Sequence, residues 1–274
     1  MELHEYNAIT ENSEMTLEDH SFILGLLTES KPKKILEIGV CSGGTTNLLL
    51  KALPQDATLY SVDIAKQYPR EPSKSTGYVA ARDYNSAVQA KWVTYFGYDI
   101  SYCIEEIGSG IDFTIIDTTH ILPGEILSFL VVLPFLQKES FLVLHDISNH
   151  MLHKLANDAP EEYNKNEYCT SLLFNSILSN KKYMSEAFIP NCGAVHIDKH
   201  NTINNLLMIL NMLFIDWHYL PENKILAETL KIAQRFYSEK DAKLLELAFQ
   251  YNIKQTIRKK NRVAPPIGCK AMAE

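Results

Sequence analysis

Two acids and a histidine carry the most pointed chemistry in this chain. Asp117 and His120 lie three residues apart in Ile116-Asp117-Thr118-Thr119-His120, and Asp146 closes Leu144-His145-Asp146. Each acid follows an apolar run of strand type, Phe113-Thr114-Ile115-Ile116 and Phe141-Leu142-Val143-Leu144. Adjacent strands sit about 4.8 Å apart, so the two carboxylates are expected to converge at one sheet edge. Carboxylates that close repel unless a proton or a cation lies between them. A hard divalent ion such as magnesium suits them, because it takes carboxylate oxygens and keeps waters or substrate oxygens. An ordinary histidine titrates near pH 6.5, so His120 can take a proton from a hydroxyl. The set therefore reads as a hydroxyl-activating site: His120 as base, Asp117 beside it, and Asp117 with Asp146 as metal ligands. Orienting backbone or cofactor amino groups is an equally good role for Asp117. Strand alternation turns His145 away from Asp146 and gives it a structural or supporting role. His150 and His153 follow on an apparent helix, at the surface or the mouth of a site.

Such a set needs strands to deliver it, and the flanking patterns supply them. A helix over Leu17 to Glu29 carries apolar Phe22, Ile23, Leu26 and Leu27 and is expected to pack on the sheet edge. Strand and helix patterns then alternate: strand 34–39, helix 44–53, strand 58–63, a helix near 80–96, strand 99–105, strand 112–117, helix 123–136 and strand 141–146. That alternation predicts parallel strands joined by crossover helices. A helix around Ser171 to Leu178 precedes two further strand candidates, Lys182 to Ala187 and Cys192 to Ile197. From Asn201 the chain reads as mostly helical.

The first strand runs into Glu37-Ile38-Gly39-Val40-Cys41-Ser42-Gly43-Gly44-Thr45-Thr46, a glycine-rich turn that opens a helix. Glycines there allow a tight turn and a close ligand approach. Dinucleotide sites need G-x-G-x-x-G so that a pyrophosphate can touch the backbone. Cys41 occupies that second glycine position, so a pyrophosphate would meet a side chain. No Gly-Lys-Ser/Thr follows, which excludes a P-loop. S-adenosylmethionine has no pyrophosphate to accommodate. The second strand ends in Asp63, suited to a ribose diol.

The block E-I-G-x-x-x-G-G resembles motif I of class I S-adenosylmethionine-dependent methyltransferases. The D-T-T-H and H-D segments resemble the D-x-x-H … H-D pattern of one branch, the macrocin-type sugar O-methyltransferases with their cephalosporin hydroxylase-like relatives. The similarity spans roughly Leu17 to Asp198. It implies an α/β fold with a Rossmann-like seven-stranded sheet, mostly parallel with an antiparallel last strand, followed by a C-terminal helical extension. It also implies S-adenosyl-L-methionine as cofactor, held by Glu37, Gly39, Ser42, Gly43, Gly44 and Thr45 around the methionine moiety. Asp63 is then the ribose ligand, Ile64 lies beside the adenine, and Asp117 faces the cofactor. In that branch the acids bind Mg2+ and the histidine is the base, which maps onto Asp117, Asp146 and His120. Here His145 stands where those members carry a carboxylate, and Thr118 stands for a glycine. Asp83 and Tyr84 fall in the variable region after the second strand, where a lid is expected, and Glu105 or Glu106 is expected either at the adenine amino group or in a solvated turn.

The bulk properties fit a small-molecule enzyme. The net charge of -7 argues against a nucleic-acid surface, and the basic run Lys254 to Arg262 reads as a solvated helix end. Five cysteines without CxxC spacing, and no signal peptide, predict a reducing cytoplasm. No apolar run is long enough to span a bilayer. Three regions are expected: a methyltransferase domain over 1–200, a helical cap or homo-oligomer interface over 201–262, and a disordered tail over 263–274. The acceptor is expected to be a small molecule, a sugar or glycan-linked hydroxyl.

Overall fold

The structure, a computed structural model, describes residues 3–151 and 167–258. His153 and the expected tail lie outside these residues. Seven strands form one sheet: β1 (Lys34–Ile38), β2 (Thr58–Asp63), β3 (Lys91–Phe96), β4 (Ile111–Ile116), β5 (Leu136–His145), β6 (Lys182–Met184) and β7 (Cys192–Asp198). Their order is β3-β2-β1-β4-β5-β7-β6. The first five run parallel, and β7 is antiparallel to both β5 and β6. The strand order reverses between β1 and β4, and at such a switch point the loops leaving the carboxyl ends diverge and open a crevice.

Alternation along the parallel strands supplies two dry faces. Ile35, Leu59, Phe113, Ile115 and Val143 pack on one side with Ile23, Leu26 and Leu27 of helix α2 (Leu17–Ser30) and with Leu49 and Leu50 of α3 (Gly44–Ala52). Helix α2 thus covers a sheet face, not the expected edge, because its apolar stripe is matched to the odd residues of β1 and β4. A Thr16–Asp19 capping box starts it. On the other side Leu36, Ile38, Ile116, Leu142 and Leu144 meet Ile126, Phe129 and Leu130 of a helix over Gly124–Val132. The C-terminal helices, α10 (Asn223–Phe236) and α11 (Glu239–Arg258), join this same core through Leu226, Ile232, Leu245 and Phe249. The intervening helices α4 to α9 are Tyr78–Asp83, Ile100–Ile107, Gly124–Val132, Cys169–Ser176, Lys199–Asn204 and Leu207–Leu210; α1 is Leu3–Ile9.

Two expectations fail between β2 and β4. The helix near 80–96 is only α4, and β3 occupies Lys91–Phe96, whose aromatic and β-branched residues pair with β2. The expected strand 99–105 is the helix α5. Asp99 caps it by accepting from the Ser101 amide at 2.8 Å, and Ile100, Cys103, Ile104 and Ile107 are buried at helical spacing. That displacement also removes the adenine role from Glu105 and Glu106. Both are exposed on α5, and Glu105 pairs with Arg235 at 2.7 Å.

Candidate active site

The glycine loop is built by backbone bonds that need its unusual dihedrals. Gly39 has φ +92°, and a Cβ placed there would lie 1.7 Å from the Asp117 carbonyl oxygen. Gly43 has φ +88° and lies against the Gly77 backbone, so its missing side chain serves packing rather than the cleft. Asp63 fastens the loop: one oxygen accepts from the Val40 and Cys41 amides at 2.8 and 3.0 Å, the other from Ala65 at 2.8 Å. A carboxylate has about four acceptor positions, so one is left for a hydroxyl in the cleft. Burial raises the Asp63 carboxyl despite those three amides. It also pushes the Cys41 thiol up to about 11, so Cys41 is no nucleophile at neutral pH.

A cleft of two lobes opens over this loop. The larger, about 400 Å³, is lined by Asp63, Ile64, Tyr98, Asp99, Ile100 and Thr119, and by Tyr219 to Glu222 from the C-terminal part. The smaller, about 130 Å³, is lined by Asn12 to Met15, Glu37, Ser42, Gly44, Thr45 and His120. Gly39, Val40, Cys41, Asp117 and Thr118 border both lobes. The N-terminal segment closes the small lobe through hydrogen bonds. Ser42 Oγ donates to the Glu11 and Asn12 carbonyls, and Thr45 Oγ1 meets Ser13 Oγ at 3.1 Å and His20 Nε2 at 3.0 Å. Asp99 and the Tyr219–Glu222 wall were missed in the sequence. The cap of α5 signalled the first, whereas only tertiary packing brings the second. Asp83 and Tyr84 do not reach the cleft: Asp83 accepts from Asn47 at 2.9 Å, and Tyr84 donates to the Ala90 carbonyl at 3.2 Å.

Glu37 is buried beneath the small lobe, accepting from Thr46 Oγ1 at 2.9 Å and Ser61 Oγ at 2.7 Å. Burial raises its carboxyl to about 7, outweighing those two bonds. A carboxyl raised on folding stabilises fully below its unfolded pKa and loses that stability as pH climbs through the folded value. The window here runs from 4.5 to about 7, worth roughly 3 kcal/mol at about 1.4 kcal/mol per unit. Glu37→Gln should therefore gain stability relative to wild type by about that amount across the window. Denaturant titrations at pH 5 and pH 7.5 measure this; a pH-independent difference between the two proteins would refute it.

Beyond the shared floor, the acids and histidines meet. His120 Nε2 lies 2.9 Å from Asp146 Oδ2 and 3.6 Å from Asp117 Oδ1. Burial opposes charge on His120, but the Asp146 hydrogen bond and the charges of Asp146, Glu125 and Asp117 outweigh it and hold the ring at about 9. Burial likewise opposes charge on Asp146, and the His120 bond overcomes it, keeping this carboxyl well below the usual range. His145 departs from expectation. Its Nδ1 lies 3.3 Å from Asp117 Oδ1 and 3.6 Å from Asp146 Oδ1, and its Nε2 3.7 Å from Asp19 Oδ2 on α2, so it turns toward both acids and supports them while bordering neither lobe. Alternation fails because β5 ends at His145 and Asp146 turns to φ +59°. Cys41, His120 and Asp146 are all non-glycine residues with φ between +54° and +59°. Left-handed backbone costs such residues about 1–3 kcal/mol each and gathers at functional sites. His150 is half-buried just beyond Asp146.

Donor atoms of Asp117, His120 and Asp146 all lie within 4.8 Å of one another. Ligands of one magnesium ion lie about 3 to 4 Å apart, so a donor set within that bound could hold such an ion. Among the described residues no helix is long and apolar enough to cross a membrane, and Cys41, Cys103, Cys169 and Cys192 are free.

Residues 36–147 match a family described as a methyltransferase domain. No curated protein matches the sequence. Among solved structures, cofactor-bound Rv0187 from MTB is 10% identical with a TM-score of 0.53, covering 72% of this chain and 89% of its own. The SAH-bound methyltransferase PaMTH1 of Podospora anserina is 13% identical at 0.51, covering 71% and 87%. A Staphylococcus aureus protein provisionally named a caffeoyl-CoA O-methyltransferase is 12% identical at 0.52, covering 71% and 90%. These likenesses show a shared fold, the Rossmann-like methyltransferase sheet.

Proposed function

From the match of residues 36–147 to a methyltransferase-domain family, we propose that this chain is an S-adenosylmethionine-dependent O-methyltransferase. Its acceptor is the hydroxyl of a small polar molecule, a sugar or glycan precursor. One observation carries the reading: the two lobes share Gly39 to Cys41 and Asp117, with His120 on the small lobe's rim. An adenosyl group in the large lobe and a methionine chain in the small one would cross that shared floor. The named activities of PaMTH1 and the Staphylococcus aureus protein lend support to methyl transfer and to an oxygen acceptor.

In this reading Asp63 takes a ribose hydroxyl, Ile64 and Ile100 flank the adenine, and Ser42, Gly44 and Thr45 border the methionine moiety. When bound, S-adenosylmethionine supplies an electrophilic methyl: the acceptor oxygen bonds to its carbon and the C–S pair stays on sulfur. The acceptor proton passes to His120 Nε2. At neutral pH the surrounding carboxylates keep a proton on that nitrogen, so His120 becomes a base only when their pull is offset. Asp117 and Asp146 would hold Mg2+, which would supply hydroxyl polarisation and offset those two charges. A metal-independent variant has one observation in its favour: the His145 ring lies against Asp117 and Asp146, whose charges favour its protonated form over the penalty of burial. The C-terminal helices act as a cap, since Tyr219 to Glu222 wall the large lobe, and the free thiols suit a cytoplasmic enzyme.

The test is methyl transfer from labelled S-adenosylmethionine to a panel of sugars and glycan precursors, read by mass spectrometry. We expect a singly methylated hydroxyl, and turnover at least about tenfold lower with the metal removed. Transfer to nitrogen or sulfur alone would sink the oxygen assignment. Full activity in excess chelator would select the metal-independent variant.

A further inference from the structure

His120 has φ +58°, a left-handed conformation that few non-glycine residues adopt. Besides the 3.6 Å approaches of its ring to Asp117 and Glu125, four contacts hold it. Its amide donates to Glu125 Oε1 at 2.6 Å, and its carbonyl accepts from the Cys169 amide at 3.0 Å. Ring Nδ1 faces Thr170 Oγ1 at 3.4 Å, and Nε2 faces Asp146 at 2.9 Å. Glu125 Oε1 also accepts from Thr118 Oγ1 at 2.8 Å, tying both ends of the Thr118–His120 loop to one atom. Both Glu125 and Thr170 are completely buried, and neither borders the cleft.

A buried carboxylate is costly unless its bonds repay it, and both strong bonds that Glu125 accepts, from Thr118 Oγ1 and the His120 amide, come from this one loop. Its placement is therefore explained by the loop it holds, not by its own comfort. We propose that Glu125 and Thr170 are positioning residues for His120. Glu125 fixes the loop in its left-handed form, and Thr170, on α7, sets the ring about χ2 so that Nε2 points to the acceptor side of Asp146. This rests on His120 being the base of the proposed reaction, but it concerns where the ring is held. Neither residue touches cofactor or acceptor, so each acts on turnover and leaves binding alone.

The experiment compares Glu125→Ala, Glu125→Gln and Thr170→Val with wild type by three readouts. Long-range proton–nitrogen spectra report the His120 ring, calorimetry reports S-adenosylhomocysteine affinity, and labelled methyl transfer reports kcat and KM. We expect Thr170→Val and Glu125→Ala to shift the His120 ring signals and lower kcat at least about tenfold, with KM and homocysteine-adduct affinity within about twofold of wild type. Glu125→Gln, which keeps an acceptor at Oε1, should restore most of kcat. Unchanged ring signals in Thr170→Val, a folded and nearly isosteric variant, would overturn the proposal even if Glu125→Ala failed to fold. If wild type transferred no methyl at all, the functional reading would fall while the ring spectra still decided the positioning.

Discussion

His120→Ala should cut methyl transfer by about 10²–10⁴-fold, the usual worth of a positioned general base. Affinity for S-adenosylhomocysteine should stay near wild type. The ring contributes to only one rim of the small lobe, whereas the loop amides and Asp63 are untouched. The variant also removes the group that holds Asp146 below the usual carboxylate range, leaving two half-buried acids with His145 as their remaining basic neighbour. A divalent ion should then bind more readily between Asp117 and Asp146, even as turnover falls. Steady-state kinetics with parallel calorimetry measure both effects. Wild-type turnover in His120→Ala would remove it as base, and a joint loss of cofactor affinity would recast it as a binding residue.

Gly39→Ala should abolish cofactor binding. The added Cβ falls 1.7 Å from the Asp117 carbonyl, which no rotamer relieves because both partners are main chain. Alanine at φ +92° carries a further penalty of about 1–2 kcal/mol. The ends of β1 and β4 must separate, breaking the bond from the Asp117 amide to the Ile38 carbonyl and displacing Asp117 itself. The shared floor of the two lobes is rebuilt in the process. We expect affinity to fall by at least about 100-fold, or about 2.7 kcal/mol, with the far-ultraviolet circular dichroism of the sheet retained. An affinity within about threefold of wild type would show that the loop does not hold the ligand.

Much of this site was legible because it rests on short, strong local signals. Glu37 to Thr46 and Ile116 to His120 each join an apolar run to a turn, and β1, β2 and β4 were placed within a residue or so. The error around residues 80–107 has a local cause. Lys91 to Phe96 is a short strand with exposed and half-buried positions at the sheet edge, so it lacks the continuous apolar run of a central strand. The Asp99-Ile100-Ser101 cap that follows starts a helix whose apolar Ile100, Cys103 and Ile104 also suit a short strand. His145 was misjudged because alternation applies only while the chain stays extended, and Asp146 leaves that conformation. Glu125, Thr170 and the Tyr219–Glu222 wall lie beyond any local signal. Their roles come from distant segments meeting at the β4 turn.

Everything turns on a donor seated across the floor formed by Gly39, Val40, Cys41, Asp117 and Thr118. Titration calorimetry of the full-length protein with S-adenosylhomocysteine tests that seat directly. The account predicts saturable binding with one molecule per chain, lost in Gly39→Ala and kept in His120→Ala. Absence of any binding heat from properly folded wild-type protein, with either that compound or S-adenosylmethionine, would contradict it.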